Sequence, residues 1–139
     1  HNSNAPVNYA ANRIELQDRQ NRVVLTGNVQ IDQANLHMSS ARTIVDYSDA
    51  GSLSINRISA TGGVTVTRGN ESARGNVAVY DFNRRIITMT GDVRLRRGTD
   101  TLNGGRLTID LRSGLSSIDA AGGGGEDGRV TGSFSVPQD

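Results

Sequence analysis

Apolar and polar residues alternate along most of this chain with the period of a β-strand. Val64 and Val66 stand on either side of a threonine, and Ile87 and Met89 repeat the arrangement. Successive side chains of a strand point to opposite faces of a sheet, so each such segment buries one face and exposes the other. Helical spacing of apolar residues is not sustained. We therefore expect nearly the whole chain to form β-strands.

Two short motifs recur along the chain. The first is an apolar residue followed by Thr-Gly-x-Val-x and a second apolar residue, found at Leu25–Ile31, Ala60–Val66, Met89–Leu95 and, less well, Val130–Val136. The second is a small residue followed three and five positions later by apolar residues, and its copies begin at Ala11, Ala41, Gly75 and Gly104. In the Ala41 copy, Ile44 fits this pattern and Asp46 interrupts it. The interleaved motifs predict a unit of about 30 residues that occurs nearly four times.

The glycine of the first motif stands in the middle of a predicted strand. Val23, Leu25, Gly27, Val29 and Ile31 all have odd numbers, so the apolar side chains on both sides of the glycine point to one face. A glycine weakens a strand unless the chain bends there or another backbone comes close. Stacked copies place the bend at the same position in each layer. This predicts a folded sheet, or two facing sheets, around an apolar interior.

The ends of such a stack are open strand edges. The only prolines are Pro6 and Pro137. Every residue between them therefore has a backbone N–H that can donate to a neighbouring strand, as the interior of a sheet requires. Exposed edges are normally protected by charge, proline or a cap. The segment Asn4–Tyr9 has only its proline for protection, and Val130–Val136 keeps a clean apolar alternation. Open edges suggest assembly end to end or docking of a partner by strand addition.

Composition narrows the function classes. The 139 residues, of 14.8 kDa, fit a single domain, which we expect to span residues 1–139 with its core at about 5–136 and a glycine-rich loop at 122–128. All 15 cations are arginine and the net charge is +1, without the basic patch of a nucleic-acid-binding domain. The chain has no cysteine and two histidines, and no catalytic arrangement can be built from them. We expect no enzyme activity, no metal and no cofactor.

The apolar set is aliphatic, and two interpretations of it remain open. Tyr and Phe together number five, with no Trp, while Val, Ile and Leu dominate. A groove for flexible acyl chains needs a smooth aliphatic lining, where each buried methylene contributes about 0.8 kcal/mol. The same side chains also suit the dry core of a sandwich. Arginines such as Arg94, Arg96 and Arg97, with Arg84 and Arg85, either pair with lipid phosphates or lie on solvated strand faces.

The three Thr-Gly-x-Val copies, the interleaved motif and the opening segment Pro6–Ile14 resemble the LptA/OstA-like family of periplasmic lipopolysaccharide-transport proteins. The resemblance covers about residues 5–136. It implies a twisted antiparallel β-jellyroll of two facing sheets with an open apolar groove that takes lipopolysaccharide acyl chains. It also implies end-to-end stacking, C-terminal edge to N-terminal edge, and carries Val7 and Tyr9 onto the N-terminal edge strand and Val66 into the groove.

With the resemblance, the groove interpretation becomes the favoured one. The C-terminal assembly edge is then expected at Val130, Phe134 and Val136. The expected groove residues share the apolar positions of the two motifs and of the strands that join them. They are Leu25, Val29, Ile31, Leu36, Met38, Ile44, Ile58, Val64, Val66, Tyr80, Phe82, Ile87, Met89, Val93, Leu95, Leu107 and Ile109.

The resemblance also implies location and partners. We expect a periplasmic protein of a Gram-negative bacterium, exported with a signal peptide that is absent from this chain. Its partners would be lipopolysaccharide, further copies of itself, and the inner-membrane-anchored and outer-membrane components of the transport machine, without nucleic acid. Two alternatives stay open: a β-scaffold that polymerises head to tail without binding lipid, and the periplasmic domain of a membrane-anchored partner.

Overall fold

The computed structural model describes residues 1–2, 4–120 and 128–136, and these form one antiparallel β-sheet of ten strands. A 3-10 turn lies at Asp18–Gln20. The strands are β1 (Val7–Ala10), β2 (Arg13–Gln17), β3 (Arg22–Gln33), β4 (Leu36–Ala50), β5 (Ser52–Arg68), β6 (Glu71–Asp81), β7 (Ile86–Arg97), β8 (Asp100–Asp110), β9 (Ser116–Asp119) and β10 (Thr131–Ser133).

The six long strands pair in chain order, each with the next, from β3 to β8. Short strands complete the two edges: β1 and β2 both pair with β3, and β9 and β10 both pair with β8. Each edge is therefore made of two pieces. Sequential pairing through tight turns agrees with the repeated unit of the sequence, because each copy of the two motifs supplies one pair of neighbouring strands.

A line of bulges crosses the sheet and bends every long strand. On β3, β5 and β7 the bulge is formed by two consecutive residues with positive φ, of which the first is always glycine: Gly27–Asn28, Gly62–Gly63 and Gly91–Asp92. The pairing register shifts at this line between all five neighbouring pairs of long strands. Left-handed φ values suit glycine, and an extra residue on one strand bends and twists the sheet.

The bend divides the sheet into two halves that face each other. We call half A the part that contains the hairpin turns at residues 34–35, 69–70 and 98–99, and half B the remainder. Ile31 and Met38 of half A meet Ile58 and Tyr80 of half B around the same small void. Buried residues from both halves form a single hydrophobic cluster. The predicted all-β jellyroll is confirmed, and its two facing layers are halves of one continuous sheet.

A buried threonine, Thr43, explains one error in the sequence interpretation. Ile44 was expected in the groove, but it lies on the outer face of β4, because its neighbours Thr43 and Val45 point inward and are buried. The small residue that begins this copy of the second motif is Ser40, with Thr43 and Val45 three and five positions later. The copy had been placed one residue too late, since a buried threonine takes a position that is apolar elsewhere.

The remaining points of organisation are the glycine-rich loop, the number of domains and the absence or presence of membrane-spanning helices. Most of the glycine-rich loop at 122–128 lies outside the described residues, which resume at Gly128. The single-domain assignment stays a prediction. Within the described ranges, no helix has the length and apolar character needed to cross a membrane.

Candidate functional site

The inner faces of the two halves enclose the residues that were predicted to line a groove. With the exception of Ile44, all of them belong to the buried cluster or pack against it; Phe82 and Leu95 are the partly buried ones. Leu25, Ile87 and Met89 are completely shielded from solvent. The lining is therefore aliphatic over most of its length, with Tyr80 and Phe82 stacked on each other at one position, their ring centroids 4.0 Å apart.

Further inward-facing residues were absent from the predicted lining, although the parity of the first motif already placed Val23 on the inner face. Some are small, so they carry little apolar signal of their own, and others lie just outside the repeated motifs. They could have been found from the register, because each stands directly opposite a predicted groove residue or two positions from one. They are Val23, Val45, Ala60, Ala73, Ala78 and Leu111.

Side chains fill the interior almost completely. The void between the halves, bordered by Ile31, Met38, Ile58, Tyr80 and Phe82, has a volume of about 10 Å³. A single water molecule needs at least about that much space. In this state the interior is a packed core, and an acyl chain would have to separate the inner faces to enter.

A buried amide closes one end of the interior. Gln33 is only 3% exposed, and its Oε1 accepts a hydrogen bond of 2.9 Å from the Tyr80 hydroxyl. Its Nε2 donates to the carbonyl oxygen of Ala5 at 3.1 Å, and His1 Nε2 lies 3.0 Å from Gln33 Oε1. Burying polar atoms is costly unless they are hydrogen-bonded. This network therefore holds the segment before β1 against the end of the interior.

Charged side chains line the rim of the interior at the hairpin turns of half A. Glu71 forms an ion pair with Arg68 at 3.5 Å and a second, closer one with Arg97. The side chains of Glu71 and Arg68 are mostly buried, while that of Arg97 is largely exposed. All three continue the inward-facing rows of their strands. The rim of the interior is thus polar, although its lining is aliphatic.

The N-terminal edge exposes inward-facing apolar side chains. Tyr9 on β1 stands opposite Ile31, and Leu16 on β2 stands opposite Val23. Directly opposite residues share a face, so Tyr9 and Leu16 continue the interior outward. Both are exposed because no further strand covers them. Val7, the other predicted edge residue, is partly buried against the cluster.

The C-terminal edge has the same character. The predicted residues Val130, Phe134 and Val136 are all exposed, and so is Leu102 on the neighbouring strand. Leu115, in the turn between β8 and β9, is exposed too. Leu102 stands opposite Leu95 on one side and Gly132 of β10 on the other, so it also continues the interior. Apolar interior surface therefore runs from one edge of the sheet to the other.

Titratable groups give little support to catalytic chemistry. At the exposed N-terminal edge, hydrogen bonds from Gln17 and then from Arg13 lower the pKa of the Glu15 carboxyl. No group of three or more His, Asp or Glu side chains in the described part of the chain is arranged to hold a metal ion. The main feature of the site is an aliphatic interior that extends to two open edges of the sheet.

Comparison with known proteins decides the family. The family described as LptA/(LptD N-terminal domain) LPS transport protein matches residues 9–115, most of the chain. The chain belongs to this family. The LptA/LptD N-terminal family is a family of lipopolysaccharide-transport proteins, and this member has a role in lipopolysaccharide transport.

Individual relatives are distant. An uncharacterised protein of Rhizobium meliloti (strain 1021) is 24% identical over 125 residues, which cover 85% of this chain and 67% of the relative. The crystal structure of LptH, the LptA homologous periplasmic component of the lipopolysaccharide transport device of Pseudomonas aeruginosa, superposes with a TM-score of 0.82 at 13% identity. The match covers 96% of this chain and 98% of that one, so the LptA-like fold extends over nearly all of it.

Proposed function

We propose that this member of the LptA/LptD N-terminal family is a non-enzymatic periplasmic carrier that holds lipopolysaccharide acyl chains between the two halves of its sheet. The observation that supports the proposal most directly is the aliphatic inner face, which reaches both open edges. Sugar would remain in solvent, because the rim carries charged groups such as Glu71. Val66 and Val29, buried on β5 and β3, would contact the lipid.

Acyl chains would enter at an edge, because the interior itself is filled. β1 has four residues and β2 has five, so these strands have few backbone hydrogen bonds to lose. Tyr9 and Leu16 already expose inward-facing apolar surface there. Contact with lipid methylenes, worth about 0.8 kcal/mol for each one buried, would offset the separation of the two inner faces.

Copies of the chain would stack head to tail, and the stack would pass lipid from the inner to the outer membrane. Each edge exposes apolar side chains and unpaired strand backbone, which are the two features of a surface that binds by strand addition. The membrane-anchored components of the transport machine would bind at the two ends of the stack. The alternatives are a scaffold of the same architecture that binds no lipid, and the periplasmic domain of an anchored partner.

Photo-crosslinking tests the lipid site. With a photoreactive amino acid at Val66, which points inward, we expect capture of lipopolysaccharide; at Ser59, on the same strand but on the outer face of half B, we expect little or none. Leu95 and Thr88 form a second inward and outward pair on β7, and Leu95 is only partly buried, so a bulky probe is tolerated better there.

Each outcome of the crosslinking has a clear meaning. Circular dichroism first confirms that all four labelled variants are folded. Equal capture at inward and outward positions would contradict the assignment of the inner face as the lipid site. Absence of capture at both Val66 and Leu95 in folded protein would overturn lipid binding and favour the scaffold.

A further inference from the structure

The outer face of half A carries a band of polar side chains that the lipid interior does not use. One row crosses six strands at matching register positions: Ser39, Thr65, Arg74, Arg94, Asn103 and Thr131. The next row towards the hairpin turns is His37, Thr67, Ser72, Arg96, Thr101 and Ser133. Every side chain in these two rows can form hydrogen bonds, and none is a carboxylate. A carboxylate stands at the end of the second row: Asp32 of β3 lies opposite His37, and its Oδ1 is 2.5 Å from His37 Nδ1.

Two arginines stand directly opposite each other in the first row. Arg74 on β6 pairs with Arg94 on β7, and both are exposed. Like charges directly opposite on neighbouring strands destabilise a sheet. Arg94 Nε donates a hydrogen bond of 3.2 Å to Asn103 Oδ1, which fixes the guanidinium plane. Among the described residues, no hydrogen bond or ion pair reaches Arg74.

The outer face of half B arranges its charges in the opposite way. There a row alternates in sign across four strands, from Arg22 to Asp46, Arg57 and Asp81. Arg57 forms an ion pair of 3.6 Å with Asp46. The same sheet therefore neutralises its arginines on one half and leaves Arg74 and Arg94 side by side on the other. A ligand with negative charge would relieve that repulsion.

The arginines border a cleft large enough for more than a simple ion. Its volume is about 830 Å³, and its lining includes Thr65, Arg74, Arg94, Asn103 and Thr131. A carboxylate, that of Asp92 at the bend, also lines the cleft, so the charge there is mixed but positive in balance. Volumes of 300–1,000 Å³ are typical of small-molecule sites. Inorganic phosphate alone would leave most of this one empty.

We propose that this cleft binds a phosphorylated sugar. The guanidinium groups of Arg74 and Arg94 would hold the phosphate by paired hydrogen bonds, a geometry that arginine provides and lysine does not. The hydroxyls of Thr65 and Thr131 and the amide of Asn103 both donate and accept hydrogen bonds, as sugar hydroxyls require. The proposal concerns the outer face and holds whether or not acyl chains bind inside.

The test is a titration followed by amide NMR shifts at low ionic strength, where charge interactions are least screened. The probes are glucose 1-phosphate, glucose, inorganic phosphate and the deacylated sugar-phosphate part of lipopolysaccharide. We expect shifts around Thr65, Arg74 and Arg94 with the two sugar phosphates. Glucose and inorganic phosphate should each bind at least about tenfold more weakly, because each lacks one of the two recognised groups.

A charge reversal separates binding from folding. Arg74→Glu places a carboxylate opposite Arg94, so we expect a melting temperature equal to or above that of the unmodified protein, with at least about tenfold weaker binding of glucose 1-phosphate. Arg57→Glu is the matched control on half B. It sets three carboxylates in a row with Asp46 and Asp81, so the melting temperature should fall while binding stays unchanged.

The results decide between clear alternatives. Absence of shifts with any sugar phosphate would overturn the proposal, and so would equal binding by the unmodified protein and Arg74→Glu. Equal affinity for inorganic phosphate would overturn the sugar component. Tighter binding of the deacylated lipopolysaccharide fragment than of glucose 1-phosphate would assign the site to a glycolipid headgroup, and equal binding to free sugar phosphates.

Discussion

Replacing Gly91 by valine is expected to lower the free energy of unfolding by about 2–6 kcal/mol. Gly91 has a φ of 85°, a left-handed conformation that costs a β-branched residue about 1–3 kcal/mol. A Cβ at this position would also lie 2.5 Å from Asn76 Nδ2 and 2.8 Å from Asn76 Cβ, and such overpacking costs about 1–3 kcal/mol more. Urea denaturation followed by circular dichroism measures the change.

Two further variants separate these causes. Gly98→Val is the matched control, since Gly98 has a φ of 61° but no atom within 4 Å of its Cβ position, so it should lose only the conformational part. Combining Asn76→Gly with Gly91→Val should recover the overpacking part. If Gly91→Val costs no more than Gly98→Val, the close contact at the bend has no energetic weight.

Replacing Phe134 by aspartate is expected to weaken self-association at least about a hundredfold. Phe134 is 74% exposed at the C-terminal edge, where the proposed stack would bury it. Loss of a buried aromatic removes about 1.5–3 kcal/mol, and a carboxylate at the same place must be desolvated as well. Each 1.4 kcal/mol changes a dissociation constant tenfold. Sedimentation velocity over a range of concentrations measures the effect.

Leu53→Asp is the control for the association experiment. Leu53 is 71% exposed, but it lies on β5 beside the turn to β4 and away from both edges. It should therefore leave association unchanged while adding the same charge. A similar weakening by both substitutions would point to net charge as the cause, and an unmodified protein that stays monomeric at high concentration would contradict head-to-tail stacking.

Much of the architecture could be predicted from the sequence because every copy of the repeat has a glycine at the bend and apolar residues on one face. Gly27, Gly62 and Gly91 each stand at a point where the backbone takes a left-handed conformation, and the apolar residues around them keep one parity. Strand pairing in chain order follows from short turns. A single copy of the motif would have carried little information, whereas three ordered copies specify a bend line.

The interior was harder to predict where polar residues occupy inward positions. Thr43 is completely buried, and its hydroxyl lies 2.7 Å from that of Ser40, so a hydroxyl pair stands where other repeats have apolar residues. Ser40 takes the position of the small residue of the motif, and Thr43 takes the first apolar position. The threonine at that position led to Ile44 being included in the predicted lining and Val45 being left out. Gln33 and Tyr80 meet across 47 positions of sequence, a contact that periodicity does not encode.

Which side chains are neighbours on the outer face also depends on how the strands pair. From the sequence, Arg94 and Arg96 were interpreted either as partners of lipid phosphates or as residues of a solvated strand face, and Arg74 was not singled out. Their importance depends on the register of β6 against β7, which places Arg74 opposite Arg94. A bulge shifts that register by one residue, so side-chain neighbours on the two strands cannot be derived from spacing alone.

The division of each edge into two short strands has a geometric consequence for any chain that extends the sheet. β1 and β2 are separated at Ala11 and Asn12, beside the bulge at Gly27. There the backbone N–H of Asn12 donates a hydrogen bond of 2.8 Å to the backbone carbonyl oxygen of Gly27. A joining chain must bend at the same point to pair with both pieces. If the joining chain slid along the edge, its bend would no longer coincide with that of the sheet. The bend therefore fixes both the offset and the rotation of each added unit.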